Sequence, residues 1–337
     1  MESMIRVRDL TRDYRITRKR QGIAGGFIDL VRPRKEILRA VDKVSFDIQP
    51  GEMVGYIGAN GAGKSTTIKM LTGILTPSSG EVTVGGLVPW KNRQNYTRHI
   101  GAVFGQRTQL WWDLAVVESF LLLKKIYEVD EAVYLEQMAL FHDLLNIGDF
   151  LHQPVRKLSL GQRMRCDLAA ALLHKPRVLF LDEPTIGLDV VAKGNVRRFL
   201  REIRENQGVT IILTTHDLGD IEHLCRRLII IDQGIVHFDG ELEELRNRTG
   251  HRARLTLELK RSVEREELER ITEGLPVVWT AGEGQRHEVE FNRAEAASAE
   301  VIKRLVNAVE VSDMHLAEPP IEDVVSQIYG NSRGAVS

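Results

Sequence analysis

Cysteine is scarce: Cys166 and Cys225 are the only two in 337 residues. Two thiols cannot build a disulfide framework or a four-thiolate metal site, and such scarcity suits a reduced compartment. Long apolar runs are missing as well. The greasiest stretch, residues 114–123, is interrupted by Glu118, whereas a membrane-spanning helix needs roughly 18 or more consecutive apolar residues. The first residues carry charges where a secretory signal would need an apolar core. Neither sign of charge is in excess: 46 Lys and Arg face 47 Asp and Glu, for a formal net charge of −1. The chain as a whole therefore has no electrostatic footprint for nucleic acid. What remains is an ordinary globular composition, 43% apolar and 28% charged, in a chain long enough for two domains.

Residues 1–240 alternate short β-rich runs with helical stretches, the pattern of an α/β domain. Strands are expected at 5–10, 44–48, 53–58, 81–84, 100–104, 178–182, 210–214 and 228–232. Helices are expected at 64–73, 116–127, 131–146, 161–174, 189–207 and 218–225. Residues 178–182 and 210–214 are almost entirely apolar, as central parallel strands covered on both faces must be. Composition shifts after Gly240. Residues 241–337 then read as a separate small α+β domain, with strands near 252–260, 276–280, 287–291 and 309–316. Helices are expected near 263–272, 294–307 and 321–329. Up to the last strand, this β-α-β-β-α-β order is that of a ferredoxin-like unit. Residues 15–39 stand apart: eight basic residues against two acidic ones surround Ile23, Phe27, Ile28, Leu30 and Val31.

Gly58, Ala59, Asn60, Gly61, Ala62, Gly63, Lys64, Ser65 and Thr66 follow an expected strand and open an expected helix. Glycines let successive backbone N–H groups curl round a phosphate, a helix N-terminus favours negative charge, and a lysine here reaches the β- and γ-phosphates. The hydroxyl of Ser65 is suited to Mg²⁺. Far along the chain, an apolar strand ends in Asp182 and Glu183. That edge of an α/β sheet is where ligands bind. Asp182 is expected to hold Mg²⁺, largely through water, and Glu183 to orient and polarise the attacking water. These elements alone specify a P-loop ATPase or GTPase.

Further motifs select the family. Leu158, Ser159, Leu160, Gly161 and Gln162 precede a helix, Gln106 follows a strand, Gly187-Leu188-Asp189 follows the acidic pair, and His216 ends a strand. Their order and spacing closely resemble the ATP-binding cassette (ABC) family across residues 1–240. The resemblance implies a P-loop core with an antiparallel β subdomain and a helical subdomain near residues 107–160. It also implies two cassettes meeting head to tail, with ATP between the phosphate loop of one and Ser159, Gly161 and Gln162 of the other. His216 would contact the γ-phosphate, Gln106 would join Mg²⁺ to a membrane partner, Asp189 would couple the two sites, and Tyr14 would stack on adenine. Leu160 departs from the pattern, since the commonest signature has glycine there.

ABC proteins of chromosome maintenance insert a long coiled coil, those of translation carry two cassettes, and those of excision repair carry zinc cysteines; none of these features is present. The resemblance therefore implies the ATPase of a transporter on the cytoplasmic face of the cell membrane, powering a separately encoded integral permease and using ATP and Mg²⁺ but no nucleic acid. Residues 101–112, with Trp111 and Trp112, and residues 318–324 resemble the drug and lipid exporter group that includes daunorubicin-resistance ATPases. Residues 15–39 are similar in position to an extra helix of polysaccharide exporters. Their basic charge would suit anionic lipid, at about 1 kcal/mol per basic side chain near the surface. A lipid-linked glycan exporter and a soluble regulatory ATPase without a permease stand as alternatives.

Overall fold

Segments with no polar face come together at the centre of a parallel sheet in the computed structural model, which describes residues 2–18, 34–105, 107–248, 252–293, 295–317, 321, 322, 324 and 325. The chain divides into two units, Met1–Asp239 and Gly240–Ser337. The first unit begins β1 (Ile5–Arg18), β2 (Arg34–Ile48), β3 (Met53–Gly58), α1 (Lys64–Leu71), β4 (Ser79–Val84), α2 (Arg93–Thr97) and β5 (Ile100–Phe104). It continues with α3 (Val116–Ile126), α4 (Glu131–Leu145), α5 (Leu160–Leu172), β6 (Val178–Asp182), α6 (Val190–Gln207), β7 (Thr210–Thr214), α7 (Leu218–Leu224), β8 (Arg227–Asp232) and β9 (Ile235–Glu241).

The main sheet has the order β5-β6-β7-β3-β8-β9, with parallel pairing from β5 through β8. All of β7 and all of β6 except Asp182 are buried, so apolar residues are needed on both faces. A second, antiparallel sheet has the order β2-β1-β4. Its inner residues Val7, Leu10, Val44 and Phe46 pack with Tyr56 and Ile68 into one core. Helices α3 and α4 bury Phe120 and Phe141 and leave their other faces in water. The C-terminal ends of β3, β5, β6 and β7 thus converge on one side of the sheet.

β1 and β2 run well past the strands expected at 5–10 and 44–48. They stay paired from Ile5 with Ile48 out to Arg18 with Arg34, so the flanks of the basic segment are strand. A hairpin ladder satisfies the backbone of polar residues without a buried face, which is why the apolar pattern does not reveal it. An extra helix was expected within residues 15–39; residues 15–18 and 34–39 are strand instead, and residues 19–33 lie outside the described residues. The pattern also missed α2 and β9. The latter follows a two-residue turn in which Gln233 and Gly234 both have positive φ (48° and 81°), the geometry of a tight hairpin.

The second unit comprises α8 (Leu242–Arg248), β10 (Ala253–Leu259), α9 (Arg265–Ile271), β11 (Val277–Glu283), β12 (Arg286–Phe291), α10 (Ser298–Ala308) and β13 (Val311–Ala317). Its sheet has the order β11-β12-β10-β13 with antiparallel pairs throughout, which with the β-α-β-β-α-β chain order is ferredoxin-like. Leu255, Leu257, Val289 and Phe291 on one sheet face pack against Leu268, Val301 and Leu305 of the two helices. β11 extends into the turn expected at 281–284, and the hairpin instead turns at Gly284, whose φ is 67°. Of the last expected helix, residues 321, 322, 324 and 325 are described and are helical. Among the described residues no helix is long and apolar enough to cross a membrane.

Phe291 is fully buried in this second core. Phe291→Ala should lower the stability of the unit by about 3–5 kcal/mol, the cost of deleting a buried ring and leaving a cavity. Urea unfolding followed by circular dichroism measures this, and an unchanged transition contradicts the packing.

Candidate active site

The phosphate loop leaves the buried strand β3 and enters α1. Gly63 caps that helix with φ 108°, and a Cβ there would stand 2.5 Å from the Ala40 carbonyl oxygen of β2. Only glycine fits so close to β2. The Gly234 N–H donates to Ala62 O at 2.9 Å and the Asp42 N–H to Gly234 O at 2.8 Å, bracing the loop from the β8–β9 turn. Asn60 and Gly61 are exposed at its crest, whereas Ala62, Gly63 and Lys64 are buried. Lys64 Nζ donates to Gly58 O at 2.7 Å and to Ala59 O at 3.2 Å. Burial lowers the Lys64 pKa, while the charges of Glu183 and Asp182 raise it.

Those two carboxylates come from the end of β6. Asp182 Oδ1 accepts from Thr214 Oγ1 at 2.6 Å and from Ser65 Oγ at 3.4 Å, so two distant stretches meet there. Glu183 adopts φ 59°, a left-handed conformation that is uncommon outside glycine. The turn is held by Glu183 N–H to Thr214 O at 3.0 Å and Gly105 N–H to Asp182 O at 2.7 Å. A Cβ on Gly105 would lie 2.2 Å from Glu183 O, so a side chain there would displace the turn. Glu183 Oε1 is 3.0 Å from His216 Nε2, and its other oxygen accepts the His216 N–H at 3.3 Å. Burial raises the Glu183 pKa, with His216 and Lys64 pulling it down.

Ser65, Lys69, Ile74, Phe104, Gly105, Arg107, Asp182 and Glu183 line a cavity of about 410 Å³, within the roughly 300–1,000 Å³ of small-ligand sites. It offers an anion cradle on one wall and a partly buried carboxylate on another. The Ser65 hydroxyl and the Asp182 carboxylate are hard oxygen donors, the type Mg²⁺ takes alongside phosphates and water. Gln106, expected as a further metal and catalytic residue, lies outside the described residues.

The other expected residues sit elsewhere in the unit. Ser159 caps α5 in a reciprocal box: its Oγ accepts from Gln162 N–H at 3.2 Å and its own N–H donates to Gln162 Oε1 at 2.9 Å. Leu160 opens the helix over the turn at Gly187, its Cδ2 placed 2.7 Å from where a Cβ of Gly187 would be. Asp189 caps α6 by accepting from Ala192 N–H at 2.8 Å. A Cβ on Gly161 would stand 3.5 Å from the Ala192 Cβ, so the signature and the Asp189 turn lie side by side. Tyr14 is on β1 opposite Leu38, two residues from the Ala40 that abuts Gly63, with the Arg12 guanidinium 4.9 Å from its ring centre.

Two buried acids were not found from the sequence. Asp167 on α5 accepts from Thr108 Oγ1 at 2.8 Å and Gln109 N–H at 3.0 Å, fastening the loop that follows β5 to the signature helix. Asp220, fully buried on α7, accepts from Thr185 Oγ1 at 2.5 Å and pairs with Arg197 of α6 at 2.5 Å. Lys193 pairs with Asp217 at 2.5 Å, so the His216 loop is tied to the helix that Asp189 caps. Nothing in the local pattern marks these acids, because their partners are far along the chain.

Burial pushes the Asp167 carboxyl up from 3.8 to about 6, against the bonds from Thr108 and Gln109 and the charge of Arg163. A folded value above the unfolded one means that the fold holds the proton more tightly. The stability this contributes is full below about pH 4 and is lost as the pH rises through about 6. Asp167→Asn keeps an acceptor oxygen and cannot ionise. It should therefore gain stability relative to the wild type between about pH 4 and pH 7. Urea midpoints at the two pH values test this, and a pH-independent difference contradicts it.

Comparison with known proteins agrees with this geometry. The family model described as "ABC transporter" matches residues 41–186. The ABC transporter ATP-binding protein NatA of Bacillus subtilis (strain 168) is 32% identical over 212 residues, which is 63% of this chain and 86% of that protein. The linearmycin resistance ATP-binding protein LnrL of the same organism is 34% identical over 210 residues, 62% of this chain and 67% of that protein. A dimeric structure of MJ0796, a bacterial ABC transporter cassette, superposes with TM-score 0.58 at 26% identity, covering 71% of this chain and 99% of the other. With its phosphate loop, acidic strand end and capped signature helix in one unit, this chain belongs to the ABC transporter family as one of its ATP-binding, ATP-hydrolysing proteins.

Proposed function

We propose that this ATPase works as a head-to-tail pair and powers a separate integral permease that exports a drug-like or lipophilic compound. The observation that carries the hydrolytic reading is Glu183. Its carboxylate is fixed by both the ring and the backbone of His216, and burial favours its protonated form. It borders the cavity that Ser65 and Asp182 line. In this reading Lys64 and the backbone N–H groups of residues 58–66 bind the β- and γ-phosphates, and Tyr14 stacks on the adenine. Glu183 orients a water and takes up its proton, and His216 holds Glu183 and meets the γ-phosphate. Ser65, Asp182 and Gln106 would hold Mg²⁺, which when bound supplies neutralisation of phosphate charge. Ser159, Gly161 and Gln162 serve the ATP of the second copy, and Asp189 links the two sites. Val190 and Val191, 87% and 74% exposed, suit the apolar rim of such a pairing.

The permease is the proposed partner of the surface around Trp111 and Trp112, 39% and 49% exposed. The loop bearing them is tied to the segment before the signature by Arg156 N–H to Trp112 O and Val155 N–H to Leu114 O, both 3.0 Å. Export of a lipophilic compound rests on the likeness to a linearmycin resistance protein. That partner would hold the chain peripherally on the cytoplasmic face of the membrane. The hairpin arm of β1 and β2, with Ile37 and Leu38 exposed beside Arg15 and Arg39, is proposed to face anionic headgroups. Residues 1–240 are proposed as the cassette, with residues 107–160 as its helical subdomain, and residues 241–337 as an accessory domain.

Glu183→Gln keeps the hydrogen bonds and removes the base. Hydrolysis should fall by roughly 10²–10⁴, with ATP binding retained and ATP-bound dimers accumulating in size-exclusion chromatography. Asp182→Asn should lose Mg²⁺-dependent binding as well. Wild-type phosphate release from Glu183→Gln rules out the catalytic role. Mixing Lys64→Ala with Ser159→Arg leaves one composite site intact, and ATP-dependent dimers absent from either variant alone should reappear. Mixtures that behave as their parents rule out the head-to-tail arrangement.

A further inference from the structure

We propose that β13 is a pairing edge for a second copy of this chain, independent of nucleotide. β13 is the outermost strand of the second unit's sheet, paired to β10 on one side. Ser312, Asp313, Met314 and His315 are exposed along it. A groove lined by Val306, Val309, Val311 and Met314 runs beside this edge. Met314 of the strand and Val306 of the neighbouring α10 are 37% and 46% exposed in it, apolar surface beside an edge strand.

The charges of the strand name the occupant. The helix-free face of the sheet carries Arg254, Thr256 and Glu258 of β10 and Arg286, Glu288 and Glu290 of β12, as the buried alternation of both strands requires. Arg254 lies 2.9 Å from Glu290 and 3.9 Å from Glu288, and Arg286 lies 4.0 Å from Glu288. Glu258 stands directly opposite Asp313, a like-charge cross-strand pair of the kind that destabilises a sheet. Neither carboxylate has an ion-pair partner among the described residues. His315, two residues on and on the same face as Asp313, has none there either.

Antiparallel pairing of two β13 strands about Met314 puts Asp313 of each copy opposite His315 of the other. The strand is complementary to itself, as a two-fold interface must be. Each Asp313 then gains a basic neighbour across the new pairing, and Met314 and Val306 of the two copies meet on the helix side. The Asp313 carboxylate, which accepts from Met314 N–H at 2.8 Å in the single chain, is the local cap that the second strand replaces.

The test uses the full chain without nucleotide, so that no ATP-held dimer contributes. Sedimentation velocity should show self-association. Asp313→Lys and His315→Glu should each weaken it by about tenfold or more, since the first replaces the carboxylate facing the partner copy's imidazole with a cation and the second sets two carboxylates opposite one another. Mixing the two variants opposes Lys with Glu and Asp with His, and association should return. Met314→Cys meets itself at the two-fold, where antiparallel partners lie about 4.5–5.5 Å apart, within disulfide range. Mild oxidation should give a reducible dimer, because both native cysteines are buried. A chain that stays monomeric and uncrosslinked overturns the proposal. So does a dimer that neither charge reversal weakens.

Discussion

A buried ammonium keeps its charge only if counter-charges stand close by. Lys64 sits behind the phosphate loop, where loss of water lowers its pKa and the Asp182 and Glu183 carboxylates oppose that shift. The rest of the site depends on this balance. It requires β6 to end beside α1, Gly105 to lack a side chain where it approaches the Glu183 carbonyl, and Glu183 to accept a left-handed backbone. That strain of about 1–3 kcal/mol is offset by the backbone bonds to Thr214 and by the doubly held contact with His216.

Around this centre, separate loops are fastened to helices by buried or capped polar groups. Asp167 joins the loop after β5 to α5, whose first turn is the Ser159–Gln162 box. Asp220 joins the turn at Thr185 to α6 and α7. Removing one partner of such a group leaves a buried charge unpaired, which costs more than the bond itself contributes. These acids therefore make the loops move with their helices. Leu160 belongs to the same system. Where glycine would leave space, its side chain covers Gly187 and links the signature to the turn that leads to Asp189.

The second unit rests on different physics. Its core is one sheet face against two helices and the opposite face is polar, so among the described residues the sheet has an open side and an exposed edge. Charge on that open face is balanced by Arg254 and Arg286 near β12 and unbalanced at Glu258 and Asp313.

Spacing and residue type were enough to place the phosphate loop, the acidic strand end and the α/β and ferredoxin-like element orders, because these depend on local chemistry and short-range periodicity; the signature was placed by its resemblance to the family. Glycines at fixed offsets and an apolar run ending in Asp-Glu each announce themselves within ten residues or so. The long reach of β1 and β2, the strand β9, and the roles of Asp167 and Asp220 were not legible. A hairpin of polar residues is stabilised by its ladder and shows no apolar period, and a buried acid is recognised only by partners that the fold brings from elsewhere. Sequence alone thus determined the order and spacing of these motifs along the chain. Tertiary structure decided that Glu183 points at His216, that Asp182 shares Ser65 and Thr214, and that β13 is left as an edge, because each of these depends on which distant strands become neighbours.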